Sequence, residues 1–325
     1  MNATVINSLL LLLVGSAPLV EKVEINLPGR VSQVVPADVD GDGCNDLLVF
    51  WRQGYPPKSV GRISVFMAGA GRIEDSPLQV LSLPPGTTAY DVADADGDGR
   101  QDVLLLRGDG VWAFHGRKEG GLSDEAQPVI EVMTVARIPH EDNVPRMKLM
   151  ARLGGDRFGM LLPTVPIGPL TLYARDDEGG WSLVRVLRVP TRSTLYTGAE
   201  DLRAVRDYSA HLQLVFPRWT VADQDGDGSG DLIFFARDRV AVFRARPGGA
   251  FMKMPDLDLN FGILEPGDRI KRGVMVRGTV GDVNGDGRAD LLFYKTVGGI
   301  RNMQSELRLY RARADGKYPA EPDFT

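Results

Sequence analysis

The apolar residues of this chain fall into short segments, and two kinds recur. One is a compact run: Leu47-Leu48-Val49-Phe50, Val103-Leu104-Leu105-Leu106, Leu232-Ile233-Phe234-Phe235 and Leu291-Leu292-Phe293-Tyr294. Short runs rich in β-branched and aromatic residues predict strands. The other kind alternates and ends on an aromatic ring: Ile63-Ser64-Val65-Phe66, Val111-Trp112-Ala113-Phe114, Leu170-Thr171-Leu172-Tyr173, Val240-Ala241-Val242-Phe243 and Leu307-Arg308-Leu309-Tyr310. A period of two marks a half-buried strand. A third mark is a strand closing on an apolar residue and proline, at Leu83-Pro84, Ile138-Pro139 and Val189-Pro190. The stretch Val23-Glu24-Ile25-Asn26-Leu27-Pro28 has this form too, but it precedes the first compact run.

Each compact run is entered through an acidic loop of nine residues. The first places Asp38, Asp40, Asp42 and Asp46 at positions one, three, five and nine, with Cys44 at seven. The second places Asp94, Asp96, Asp98 and Asp102, with Arg100 at seven. Asp223, Asp225, Asp227 and Asp231 follow with Ser229, then Asp282, Asn284, Asp286 and Asp290 with Arg288. Carboxylates crowded at every second residue repel one another unless a cation sits between them. Calcium takes six to eight oxygens from such loops. The side chains at one, three, five and nine and the carbonyl at seven supply a ligand set. Glycines at four and six permit a tight turn with positive φ. An EF-hand needs a bidentate Glu at position twelve. Here that position holds Val49, Leu105, Phe234 and Phe293, so the scaffold is β.

The repeat is regular enough to expose a fifth copy. Residues 151–162 align without a gap on 37–48, although Arg152, Gly154 and Met160 replace three carboxylates and only Asp156 remains. Loop starts are then spaced 56, 58, 71 and 59 residues apart. Strand, acidic loop and three further strands at a period near 60 predict a blade of a β-propeller. The expected fold is all-β, with five four-stranded antiparallel blades. The last repeat has room for strands near 274–280, 291–295 and 307–311 but little chain beyond. Segment 23–27 is therefore expected to supply its fourth strand and close the ring, which would protect open sheet edges.

The pattern D-x-D-x-D-G-x-x-D-L-L with these strands resembles the FG-GAP or VCBS repeat family, the calcium-loop blades also found in integrin α-chain heads. The resemblance covers roughly residues 20–325. It implies about four Ca²⁺, one per intact loop, held by the positions named above, with metal doubtful in the degenerate loop at 152–160.

Composition narrows the class. The chain has 325 residues, 43% hydrophobic and 25% charged, enough for a large core, and its 38 Gly and 21 Pro suit many tight turns. The formal charge is −5, and fifteen Asp lie in the four intact loops, so four bound Ca²⁺ would bring it to +3. No basic run with interleaved aromatics appears, which argues against nucleic acid. Residues 5–17 form an apolar core with small residues at its end, as in a secretory signal peptide, although no Lys or Arg precedes Leu9. The segment is too short to span a bilayer. The expected organisation is a leader at 1–17 and one domain at 18–325, secreted, at the cell surface or periplasmic, and monomeric. Cys44 is the only cysteine, so no internal disulfide forms.

Catalytic patterns are missing. His115, His140 and His211 fall at unrelated offsets and read as surface or strand-end residues, with no H-E-x-x-H or G-x-S-x-G motif near them. Trp51, Trp112, Trp181 and Trp219 share no offset, so a stacking site repeated in every blade is unsupported. An insertion at 191–212 explains the 71-residue spacing, and 199–208 has the look of a short helix. Loops 191–212 and 139–147 are candidate binding segments or tolerated insertions. The expectation is a non-catalytic scaffold for a protein or glycan ligand. The alternative is a propeller segment of a larger secreted polysaccharide-active enzyme or toxin assembly.

Overall fold

The computed structural model describes residues 22–55, 59–69, 72–135, 144–154, 157–165, 170–176, 178–199, 208–269, 273–298 and 303–325. The leader expected at 1–17 lies outside them. Contacts divide the chain into two units, 1–147 and 148–325.

The first unit holds two blades. In blade one, β1 (Arg30–Ala37), β2 (Asp46–Gln53), β3 (Val60–Phe66) and β6 (Gln79–Ser82) form one antiparallel sheet in that order. A two-residue ribbon of β4 (Ala68–Gly69) and β5 (Arg72–Ile73) lies between its last strands. Blade two runs β7 (Ala89–Ala93), β8 (Asp102–Arg107), β9 (Gly110–Phe114), β10 (Gln127–Glu131). Its fourth strand comes earlier than the proline mark at Ile138-Pro139 suggested, and that mark lies outside the described residues. The compact runs form the second strand of each blade and are almost wholly buried. Between the blades Phe50 stacks on Tyr90, with ring centroids 3.8 Å apart, in a core that includes Val35, Leu48, Ile63 and Leu105. Of the loop expected at 139–147, Arg146 bridges Tyr90 in parallel and Met147 N–H donates to the Tyr90 carbonyl.

The second unit holds three blades and a hairpin. Blade three is β11 (Met150–Gly154), β12 (Arg157–Leu162), β13 (Leu170–Arg175) and β14 (Trp181–Leu187). The insertion folds as a separate antiparallel pair, β15 (Arg192–Ala199) and β16 (Tyr208–Val215), with Arg192 opposite Val215 and Ala199 opposite Tyr208. The helix expected at 199–208 is therefore wrong at both ends, where the ladder takes the backbone; 200–207 lie outside the described residues. Blade four is β17 (Arg218–Ala222), β18 (Asp231–Ala236), β19 (Arg239–Phe243) and β20 (Leu257–Asn260). Blade five has β21 (Met275–Gly281), β22 (Asp290–Val297) and β23 (Gln304–Tyr310). All five aromatic strand ends, Phe66, Phe114, Tyr173, Phe243 and Tyr310, are buried. Short 3₁₀ turns at Pro247–Gly249 and Pro266–Arg269 are the helical elements among the described residues. The fold class is all-β, with blades of the β-propeller type.

Two expectations need correction. Residues 23–27 form no strand. The outer edge of β23 is instead met by the C-terminal segment: Leu309 N–H donates to the Phe324 carbonyl at 2.9 Å, and Asp323 N–H donates to the Leu309 carbonyl at 2.8 Å. The segment nearer in sequence takes the edge, a shorter loop to close. The degenerate loop at 152–160 is mostly strand, since β11 runs to Gly154 and β12 resumes at Arg157. Without carboxylates to gather, the backbone pairs as a hairpin, and Arg152 lies over the Phe158 ring at 5.3 Å. Asp156 lies outside the described residues.

Blades four and five pack through Phe235 and Phe293, edge to face at 6.2 Å. Gly278 lies flat against this contact, where a Cβ would stand 2.2 Å from the Phe235 ring. Overpacking of this kind costs roughly 1–3 kcal/mol. Gly278→Ala should lower the urea midpoint accordingly, whereas Gly69→Ala, whose Cβ meets nothing within 4 Å, should leave it nearly unchanged.

Candidate metal centres

The four intact loops share one hydrogen-bond pattern. The first Asp accepts two backbone N–H groups through its two oxygens. Asp38 takes Gly41 at 2.7 Å and Gly43 at 3.0 Å, and Asp94, Asp223 and Asp282 repeat this with Gly97 and Gly99, Gly226 and Gly228, Gly285 and Gly287. The turn requires φ between 76° and 89° at these eight glycines. The fifth-position Asp42, Asp98, Asp227 and Asp286 each accept the N–H of position seven, from Cys44, Arg100, Ser229 and Arg288.

Position nine is different in kind. Asp46, Asp102, Asp231 and Asp290 are at most 1% exposed. One oxygen of each accepts the N–H at position two of its own loop, from Val39, Ala95, Gln224 and Val283. The other accepts an N–H just past the third strand, from Ala68, Gly116, Ala245 and Ala312. Each of these carboxylates joins the loop to the far side of its own blade.

In three loops carboxylates converge. Oxygens of Asp38, Asp40 and Asp42, of Asp94, Asp96 and Asp98, and of Asp223, Asp225 and Asp231 lie within 4.8 Å of one another. In the fourth, Asn284 stands in for a carboxylate and its amide donates to Asp286 at 2.9 Å. Among the described residues no acidic triad forms there. A hard cation suits the first three sets, because an all-oxygen donor group of net negative charge is what such ions select. The sharpest sign is Asp225: its Oδ1 is buried and accepts no hydrogen bond. In the sister loops the equivalent oxygen of Asp40 and Asp96 takes the next N–H but one.

The loops differ in the cations beside them. Arg100 pairs with Asp98 in loop two, and Arg288 pairs with Asp286 at 2.6 Å in the last loop. Arg244 Nε lies 3.2 Å from Asp225. His115 Nδ1 lies 3.5 Å from Asp96 and 3.4 Å from Asp102, and its pKa is raised, chiefly by its nearness to the Asp102 carboxylate. Among the described residues no ion pair reaches Asp38, Asp40 or Asp42. The sequence reads His115 as a surface or strand-end residue and does not single out Arg244 at all. The signal is positional, since both follow the aromatic that ends the third strand, as Arg311 does. His140 lies outside the described residues, and His211 falls in β16.

Cys44 is exposed, and the Asp42 charge beside it pushes its thiol pKa up, away from a reactive thiolate. Trp51 and Trp219 are buried, their indole N–H groups donating to Ser64 and to the Lys148 carbonyl, so neither offers a stacking face. No helix among the described residues is long and apolar enough to cross a membrane.

No protein-family model matches the chain, and no curated protein matches it in sequence. Among solved structures it is similar to a lectin of Agrocybe aegerita described for specific recognition of non-reducing terminal N-acetylglucosamine. The identity is 16% over 92% of this chain and 82% of that one, with a TM-score of 0.41. It is also similar to a chain of the Photorhabdus luminescens Tc holotoxin pore, at 17% identity and a TM-score of 0.25, over 87% of this chain but 14% of that one.

Two predictions separate structural from ligating carboxylates. Asp290→Asn replaces an acceptor with an NH₂ facing a buried N–H, and should cost about 2–3 kcal/mol in chelator. Asp40→Asn removes a charge from a crowded loop and keeps an acceptor, so chelator-treated protein should melt near wild type. The second concerns Asp231, whose pKa burial pushes up to about 6. A folded-state value above the unfolded one means the ionised form is disfavoured by folding, so this group lowers stability above pH 6 and ceases to do so as pH falls towards 4. Carbon-detected NMR in chelator should show the Asp231 carboxyl titrating near pH 6, and a midpoint at or below 4 would contradict this.

Proposed function

We propose that the chain is an exported, calcium-stabilised binding scaffold built from FG-GAP or VCBS-like blades, monomeric and non-catalytic, with a protein or glycan as its ligand. The observation that carries the metal reading is the buried, unpartnered Oδ1 of Asp225 beside Asp223 and Asp231. A hydrogen-bonded turn alone does not account for this buried oxygen. Asp38, Asp40 and Asp42 would hold a second ion, and Asp94, Asp96 and Asp98 a third. Asp282, Asn284 and Asp286 would hold a fourth with one fewer charge. The ion would neutralise carboxylates that otherwise repel across each turn.

The non-catalytic reading rests on repetition. The acidic groups recur at equivalent places blade after blade, as structural ligands do. A catalytic constellation is normally a single departure from such symmetry. The binding reading rests on the rigidity of the blades and on the loops and hairpin they carry.

Extracellular modules bind calcium at roughly 10⁻⁴ to 10⁻³ M. At ~1 mM calcium and a dissociation constant of ~10⁻⁴ M, each occupied site adds about 1.4 kcal/mol. The melting temperature should therefore rise by several degrees or more on adding calcium and fall back in excess chelator; no change would defeat the proposal. Asp225→Ala should remove one calcium from the stoichiometry measured by calorimetry and leave the others.

A further inference from the structure

Blade five buries a charge at a place where blades one and four carry none and blade two keeps a more exposed arginine, Arg107, paired with exposed Asp109. On the second strand, the position of Lys295 is filled by Trp51 in blade one, Arg107 in blade two and Ala236 in blade four. Lys295 is 5% exposed. Its ammonium lies 2.7 Å from Asp268, itself 4% exposed, and donates to the Ile263 carbonyl at 2.9 Å. Asp268 is held in turn by the 3₁₀ turn Pro266–Arg269, accepting the Glu265 N–H at 3.1 Å. Taking such a pair out of water is expensive, and an apolar pair of similar volume would serve packing as well or better. Packing therefore does not account for it.

What it borders is a cavity of about 520 Å³, within the range of small-molecule sites. The floor is the outer half of the β22–β23 ladder, where Lys295 pairs with Glu306 and Thr296 with Ser305. The wall is the 3₁₀ turn with Glu265 and Asp268, and Gln304 closes the rim. An ammonium has three donors. Two of Lys295's are taken, and among the described residues the third has no partner. Glu306 is paired with Arg308, whereas Glu265 has no ion-pair partner among the described residues. Among the described residues the lining is thus one fixed donor, several acceptors, a hydroxyl, an amide and one negative charge, on Glu265, without an ion-pair partner. Among the described residues no aromatic ring lines it.

We infer that this cavity is a binding site for an amino sugar carrying a free ammonium group. The ammonium would meet Glu265, and neighbouring hydroxyls would accept from Lys295 and donate to Glu306. The volume admits one or two sugar rings. The polar groups that the described lining offers suit recognition by hydrogen bonds and charge. This site rests on the glycan arm of the proposed function and is independent of the calcium loops.

The test is titration of full-length protein, in saturating calcium, with the β-1,4 disaccharides of glucosamine, N-acetylglucosamine and glucose, followed by calorimetry and NMR. The glucosamine disaccharide should bind at least tenfold tighter than the other two. Glu265→Gln, an exposed change that leaves folding intact, should weaken it at least tenfold. Lys295→Met should abolish binding, with its melting curve recorded alongside. Equal binding of the acetylated or neutral sugar would overturn the ammonium assignment. Glucosamine binding unaffected by Glu265→Gln would place the sugar elsewhere, overturning this site while leaving a glycan scaffold standing. No binding of any of the three would overturn the site and turn the scaffold reading towards a protein ligand.

Discussion

One buried carboxylate per intact blade holds loop, second strand and third strand in a single arrangement. Asp46, Asp102, Asp231 and Asp290 each accept two backbone N–H groups from segments 14 to 22 residues apart on one side and seven on the other. Charge-assisted bonds of this kind are roughly twice as strong as neutral ones. The same residue is the ninth position of the acidic motif, so the loop cannot lose it without loosening the blade. Repeat three lost it, with Met160 at that place, and there the loop has closed into a ladder instead.

This double duty explains how far the sequence could be read. The compact runs and aromatic strand ends located the second strands of the four intact blades and all five third strands to within about three residues at either end, because burial on a pleated sheet leaves a period that side chains cannot hide. The loops were legible for the same reason: eight glycines and fifteen Asp at fixed places admit few backbones. The chain ends were not. Segment 23–27 has the strand pattern, but pairing depends on which edge is free and which chain is nearer, and Phe324 meets the edge of β23. Residues 199–208 carry helical composition, yet the flanking ladder from Arg192 and Val215 inward decides their ends. A pattern local in sequence does not report a partner that is remote.

The metal candidates were legible as a set but not as individuals. All four motifs look alike on paper. In the fold, Arg100, His115, Arg244 and Arg288 approach three of them, and Asn284 turns a donor inward in one. His115 and Arg244 reach the loops only because a third strand brings its end back beside the second. The buried pair of Lys295 and Asp268 is similarly invisible in the repeat pattern, since one partner lies on a strand and the other on a connecting turn.

Neighbouring loops are also stitched to each other. Gln101 N–H donates to the Asp38 carbonyl at 2.8 Å, and Ala289 N–H donates to the Asp223 carbonyl at 2.7 Å, the same two positions of the motif in both pairs. The arginine at position seven of the later loop lies along the fourth-position glycine of the earlier one, as Arg100 does at Gly41 and Arg288 at Gly226. The peptide that carries the first carboxylate of one loop is thus the resting place of the next. A pair of loops joined in this way shares its conformational changes, so that tightening one loop alters the seat on which its neighbour is built.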